Sequence, residues 1–184
     1  ASVNSLFLFL NMTVEEALIE RFKEPKFTEW HRHFLAHPDQ ISDLVALALG
    51  MKKAPLPAHA SWLLIHIAKA DWVLLAEFEH AFIDHFLVSD NQSILRNLVV
   101  CLIEFPLTDY RESEFLDALL YHLKNEGNKV ALRVYVLYKL TDFVKRYPEI
   151  KPEIDAQIEL IQAHPMSPAM KVAVRNFDRM CQKL

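Results

Sequence analysis

Histidine is the residue type in this chain that first suggests chemistry, because nine histidines are present and imidazole is a common zinc ligand. His33 and His37 stand four residues apart, as two ligands on one helix can, and Glu77 with His80 forms one Glu-x-x-His sequence. A di-iron helical bundle needs two such sequences and two further glutamates. A zinc protease needs His-Glu-x-x-His, which does not occur. We therefore expect no metal site.

Basic residues recur at every fourth position near the end of the chain. Lys171, Arg175, Arg179 and Lys183 share one face of a helix, and we call them the basic stripe. The preceding segment is acidic, so pairing between the two helices and a polar outer face for a terminal repeat would be a purely structural explanation. The functional alternative is an edge that binds an acidic protein or the backbone of a nucleic acid. These four residues are the predicted partner-binding residues.

An arginine also recurs inside apolar helical segments, where an unpaired charge would be costly. Arg96 lies in SILRNLVVCLIEF, residues 93–105, and Arg133 occupies the equivalent place in VALRVYVLYKLTD, residues 130–142. Lys171 follows at the next step. We interpret Arg96 and Arg133 as a structural ladder that bridges successive helical hairpins, while a groove that binds an acidic partner is the alternative.

The other reactive residues give weaker signals. Cys101 and Cys181 are 80 residues apart, which suggests neither a zinc site nor a disulfide framework. The cations near Cys181 could lower the pKa of its thiol. Gly50 and Gly127 are the only glycines, so the glycine-rich loops that hold nucleotide phosphates are absent. We expect no cofactor and predict no catalytic residue.

Helical periodicity runs through the whole chain, which predicts an all-α fold. Breaks fall at proline, glycine and asparagine positions, and about ten helices result. Four segments align with one another at spacings of 34, 37 and 38 residues, and a second helical segment lies between each pair. The aligned segments begin at residues 60, 94, 131 and 169. A helical hairpin of this length, repeated, predicts a stacked repeat protein.

The repeat resembles the HEAT and armadillo class in its unit length, in the basic residue that follows a small or apolar residue, and in the Val or Ile three places later. The resemblance covers residues 57–184 well and residues 13–50 poorly. It implies a right-handed α-α superhelix of about five hairpins. It implies little about function, because such scaffolds host many roles.

The segment HASWLLIHIAKAD, residues 59–71, also resembles small bacterial helical-repeat proteins that are sometimes labelled adenylosuccinate lyase. The lyase family carries a Ser-Ser-x-Met-Pro-x-Lys-x-Asn loop. The nearest string here, Met166 to Lys171, lacks the paired serines, the Met-Pro step and the asparagine. We therefore predict no lyase activity.

Domain boundaries and location follow from the same patterns. Thr13 and Glu16 can form a capping box, so we expect residues 1–12 to be an N-terminal extension and residues 13–184 to form a single repeat domain. The apolar stretch near residue 6 lacks a basic flank and a cleavage site, and no segment reaches the length of a membrane span. A cytoplasmic location is expected.

These patterns predict a non-catalytic scaffold that binds a protein partner along the groove of the superhelix, as a monomer or weak dimer. The alternative is a nucleic-acid-binding protein or an enzyme similar to the HEAT-like DNA glycosylases, which hold DNA with tryptophans and basic residues on the concave face. The chain has Trp30, Trp62 and Trp72. Its net charge of -4 makes nucleic acid the less expected partner.

Overall fold

The computed structural model describes residues 12–21 and 30–182. Within these ranges every regular element is a helix, which confirms the all-α prediction. The α-helices are α1 (Val14–Arg21), α2 (His31–Ala36), α3 (Ile41–Leu49), α4 (Leu56–Asp71), α5 (Glu79–Val88), α6 (Gln92–Ile103), α7 (Glu112–Lys124), α8 (Val130–Arg146), α9 (Lys151–Gln162) and α10 (Pro168–Cys181). Short 3-10 helices cover Pro38–Gln40, Trp72–Phe78 and Pro148–Ile150. The predicted extension lies outside the described residues except for Met12.

Polar residues cap three of the helices, and the sequence predicts two of these caps, Thr13 with Glu16 and Ser167 before Pro168. The Thr13 hydroxyl accepts a hydrogen bond from the Glu16 amide at 3.2 Å, and the Glu16 carboxylate accepts one from the Thr13 amide at 2.9 Å, which is a capping box. The Ser167 hydroxyl accepts from the Met170 amide at 3.2 Å and caps α10. Asn91 caps α6 in the same way. These bonds satisfy amide groups that have no partner inside their helices.

Asp71 is a favoured N-cap residue, and the sequence predicts that it starts a helix that runs to about Val88. The structure corrects the position at which this helix begins. Its carboxylate accepts a hydrogen bond from the Val73 amide at 3.2 Å, as an N-cap does. The capped segment is the 3-10 helix Trp72–Phe78 rather than the start of an α-helix that reaches Val88. The α-helix begins only at Glu79. A side-chain cap satisfies the first amides of either helix type, so the cap alone does not select α geometry.

The chain divides between Glu79 and His80 into two compact units. In the first unit, α3 packs against α4, α2 packs on α4, and α1 contacts both α3 and α4. Their buried residues include Phe34, Leu44 and Leu63, each with no exposed surface. That residues 13–184 form a single domain remains a prediction.

In the second unit, α8 is the central helix. It packs against α6, α7 and α10, so the aligned segments of three successive repeats lie side by side. The helices that lie between the aligned segments form a second layer. There, Phe86 of α5 contacts Phe115 of α7 edge-on, with ring centroids 5.4 Å apart. Phe115 in turn lies 6.1 Å from Phe143 of α8. These rings join the two layers in one apolar core.

Hydrogen bonds in this unit recur at a separation of one repeat. The Gln92 side chain accepts from the Lys129 amide at 2.6 Å, 37 residues on. Lys139 donates to the Phe105 carbonyl at 3.0 Å, 34 residues back. Asn176 donates to the Tyr138 hydroxyl at 3.3 Å, 38 residues back. The separations of 37 and 38 residues equal the spacings of the aligned segments that these bonds join, so part of the repeat in the sequence is a repeat of contacts.

The turn between α7 and α8 is built around His122. The Asn128 side-chain amide lies 3.1 Å from Nδ1 of His122 and donates to the His122 carbonyl at 3.0 Å. The edge of the imidazole also faces Phe86, with ring centroids 5.3 Å apart. Burial lowers the pKa of His122 below its ordinary value of 6.5, because the neutral ring is favoured where water is excluded.

We expect acid to destabilise this turn. Well above the ordinary pKa of 6.5 the ring is neutral in both the folded and the unfolded state. At lower pH the unfolded chain binds the proton first, so stability is lost as the pH falls through the depressed pKa of the folded state. The measurement is thermal unfolding between about pH 7.5 and pH 5. The fall in Tm should be smaller in His122→Gln than in the wild type, and an equal fall in both would contradict this role.

No helix within residues 12–21 and 30–182 has the length and apolar character needed to cross a membrane.

Candidate protein-binding surface

The last described helix, α10, has one buried face and one exposed face. Met170, Ala173, Val174 and Phe177 are buried, and their spacing of three and four residues places them on one side of the helix. That side packs against α8. The cap at Ser167 and the proline at position 168 set the start of the helix. The register of the exposed face follows from this packing.

The basic stripe lies on the exposed face. Lys171, Arg175 and Arg179 are all exposed, and their four-residue spacing gives one row of cations along α10. Lys183, the fourth predicted member, lies outside the described residues. That this row binds a partner remains a prediction, but its position on the surface is what such a role requires.

The acidic side chains of α9 do not neutralise this row. Glu153 and Glu159 are exposed, and Asp155 pairs with Lys151 of its own helix at 2.6 Å. Across the described residues, no ion pair joins a carboxylate to Lys171, Arg175 or Arg179. The pairing between α9 and α10 that would explain the stripe structurally is therefore not formed there.

Arg179 is connected to α8 through Asn176 of its own helix. Its Nη2 donates to the Asn176 side-chain carbonyl at 3.1 Å. The Asn176 amide donates in turn to the Tyr138 hydroxyl at 3.3 Å. This chain restricts the arginine without neutralising it, so less side-chain freedom remains to be lost when a carboxylate binds.

A second row runs beside the cations. Val172 is 42% exposed and Met180 is 37% exposed, and Asn176 lies between them along the helix. Helices present such neighbouring rows because positions one residue apart are about 100° apart around the axis. The exposed face of α10 thus combines charge with apolar surface, which suits an amphipathic partner.

The predicted ladder residues lie in the second unit and are half-buried. Arg96 donates twice to the side-chain carbonyl of Asn97, at 3.1 and 2.8 Å. The Nε of Arg133 donates to the Leu123 carbonyl at 2.9 Å, so it satisfies a carbonyl in the last turn of α7. Both arginines have polar partners within the protein. That they bridge successive hairpins as a ladder remains a prediction.

Sequence reasoning missed the ion pairs that do connect separate helices. Arg146 at the end of α8 donates to Glu112 of α7 at 2.6 Å and to Asp109 of the preceding loop at 2.9 Å. Arg111 donates to Asp84 of α5 at 2.8 Å. The separation of Arg146 from Asp109, 37 residues, was the available signal, because it equals the spacing of the repeat in this part of the chain.

These contacts concentrate around the loop that precedes α7. The Tyr110 hydroxyl donates to Asp84 at 2.9 Å, and His80 stacks on the Tyr110 ring with centroids 3.8 Å apart. The Arg111 guanidinium and the Tyr110 hydroxyl hold the pKa of the Asp84 carboxyl below its ordinary value. Arg111 itself adopts a left-handed backbone conformation with φ of 45°. These groups satisfy one another's hydrogen bonds and charges, so we interpret the network as structural.

The remaining candidates give no site. Burial raises the pKa of the Cys181 thiol and outweighs the opposite effect of the nearby lysines, so the expected lowering of this pKa does not occur. The His33 and His37 rings lie 4.5 Å apart, but nowhere in the described part of the chain do three His, Cys, Asp or Glu side chains form a group that could hold a metal. Trp30 is buried, and Trp62 and Trp72 are half-buried.

Stacked helical hairpins, with hydrogen bonds that recur at one repeat length, define a helical-repeat protein. The model of the HEAT repeat domain family matches residues 14–180, and the chain belongs to this family. No curated protein and no solved structure matches it. The resemblance to the HEAT class is thereby confirmed, and the adenylosuccinate lyase label gains no support.

Proposed function

We propose that this chain is a non-catalytic protein-interaction module and that the basic stripe of α10 binds an acidic segment of a partner protein. The observation that carries the proposal is the exposed row of Lys171, Arg175 and Arg179, which no carboxylate among the described residues neutralises even though α9 is acidic. HEAT repeats stack into extended surfaces that suit protein binding.

The chemistry of the face indicates the strength of the contact. Exposed ion pairs contribute about 0.2–1 kcal/mol each and weaken with salt, so three cations alone give low affinity. Val172 and Met180 add apolar surface at about 25 cal/mol per Å² of area removed from water. A partner helix with glutamates at every fourth position and an adjacent apolar row would use both features. We expect a salt-sensitive complex of moderate affinity.

Nucleic acid is the less favoured partner. The three tryptophans are buried or half-buried, so they offer less ring surface for base stacking than exposed tryptophans would. The net charge is -4, which opposes the long-range attraction of a phosphate backbone. The basic row on α10 has no aromatic side chain among its exposed members.

Charge reversal tests the proposal. The variant Lys171→Glu/Arg175→Glu/Arg179→Glu is compared with the wild type in binding a labelled helical peptide that carries glutamate at every fourth position. Fluorescence anisotropy at low and physiological salt gives the affinity. We expect the reversal to weaken binding about tenfold or more, because three attractions become repulsions.

The matched control reverses three exposed lysines elsewhere, Lys53, Lys69 and Lys124, and so changes the net charge equally. It should bind the acidic peptide nearly as well as the wild type. Equal losses in both variants would mean that only net charge matters and would overturn the assignment to α10. Tighter binding of duplex DNA than of the peptide would overturn the choice of partner.

A further inference from the structure

A cavity of about 340 Å³ lies in the second unit, where α8 begins, α9 ends and α10 begins. Its apolar wall contains Val130, Ile161, Met166 and Met170, and Arg133 supplies a cation. This volume is at the lower limit of small-molecule sites. It suits a side chain and its attached group better than a large metabolite.

The guanidinium of Arg133 has N–H groups that form no hydrogen bond within the described residues. Its Nε is used by the Leu123 carbonyl at 2.9 Å, which fixes the side chain against α7. Its terminal nitrogens Nη1 and Nη2 donate to none of the residues that the structure describes. A half-buried guanidinium with free terminal N–H groups is a receptor for a carboxylate, because it can donate two parallel hydrogen bonds to the two oxygens.

Glu126 also lines the cavity, but it forms no ion pair with Arg133 among the described residues. The Glu126 side chain is exposed, so water screens its charge from a bound anion. Arg133 is therefore still the group that selects the ligand, while the methionines and aliphatic residues select what the carboxylate is attached to.

The cavity adjoins the basic stripe, because Ser167, which also lines the cavity, lies one helical turn before Lys171 at the start of α10. We infer that the cavity holds the last residue of the acidic partner segment, an apolar residue whose free chain-terminal carboxylate binds Arg133. A terminal residue carries an apolar side chain and a carboxylate on the same carbon, which matches the two kinds of group in the cavity. The inference rests on the proposed function, since the same segment lies along α10.

Two peptides that differ at one group test it. Both are acidic helical peptides that end in leucine, one with a free carboxylate and one with an amide. We expect the wild type to bind the free acid about tenfold more tightly than the amide. Arg133→Met should bind both peptides equally, and Arg133→Lys should keep part of the preference because it keeps the charge.

Arg133→Met also removes the hydrogen bond to α7, so a folding defect must be distinguished from the loss of the binding site. A second variant makes this distinction. Met166→Trp fills the cavity from a loop and leaves Arg133 in place, and it should weaken binding of the free acid to the level of the amide. If the wild type binds both peptides equally but the charge reversal on α10 weakens both, the cavity assignment is wrong and the proposed function stands. If neither peptide binds the wild type, the proposed function fails.

Discussion

Replacing Phe143 by alanine is expected to lower the free energy of unfolding by about 3–5 kcal/mol. Phe143 has no exposed surface and lies on α8, the helix that contacts α6, α7 and α10. Its ring packs 6.1 Å from Phe115, so truncation leaves a cavity between two layers of the second unit. Urea unfolding followed by circular dichroism gives the change.

Phe143→Leu is the matched control, because it keeps most of the apolar volume and should be considerably less destabilising than the alanine variant. A loss below about 1 kcal/mol for Phe143→Ala would mean that the neighbouring helices close over the gap. Such a result would contradict the interpretation of α8 as the central helix of the second unit.

Phe34→Ala extends this experiment to the first unit, where Phe34 is equally buried. If residues 13–184 are one cooperative domain, both alanine variants shift the same single transition. If the two compact units unfold separately, each variant shifts one transition and leaves the other. The prediction of a single domain is thereby open to direct measurement.

The parts of the fold that the sequence predicts well depend on residues close together in the chain. Capping by Thr13 with Glu16 and by Ser167 involves contacts over three residues, so the pattern is visible in a short window. The repeat was visible for another reason: each unit must bury the same face against the next, so apolar positions recur at the repeat length.

The ion pairs that Arg146 and Arg111 form between helices were not predicted. Arg146 and Glu112 look like ordinary surface residues, and only the packing of α7 on α8 brings them within 2.6 Å. The 3-10 segment after Asp71 was missed because its cap is shared with α-helices. In both cases tertiary packing determines the observed structure, and local helix propensity carries no information about tertiary packing.

At the candidate surface, too, local features were predictable from the sequence and tertiary features were not. The four-residue spacing of Lys171, Arg175 and Arg179 is local, so their common face was predictable from the sequence. Whether α9 neutralises them depends on how α9 and α10 are placed, and the acidic composition of α9 suggested pairing that the described residues do not form. Likewise, the terminal N–H groups of Arg133 are left over because its Nε binds the Leu123 carbonyl. The spacing of residues in the sequence does not reveal this bond.

Lys139 is the second residue at which substitution should have a large effect. It is 2% exposed, and its ammonium donates to the Phe105 carbonyl at 3.0 Å and to Asp142 at 3.3 Å. Lys139→Ala removes the packed aliphatic stem and leaves the carbonyl without this donor. We expect the free energy of unfolding to fall by about 2–4 kcal/mol, measured by urea unfolding.

Lys139→Met separates the two contributions, because methionine restores the apolar volume but carries no charge. Asp142 stays paired in this variant, since Lys145 also donates to it at 3.0 Å, so no buried carboxylate is orphaned. Removing the ammonium also ends the cost of keeping it from water, which often offsets the lost hydrogen bonds. We therefore expect Lys139→Met to lie within about 1.5 kcal/mol of the wild type. A loss as large as that of Lys139→Ala would show instead that the bond to the Phe105 carbonyl, one repeat away, is what stabilises this interface.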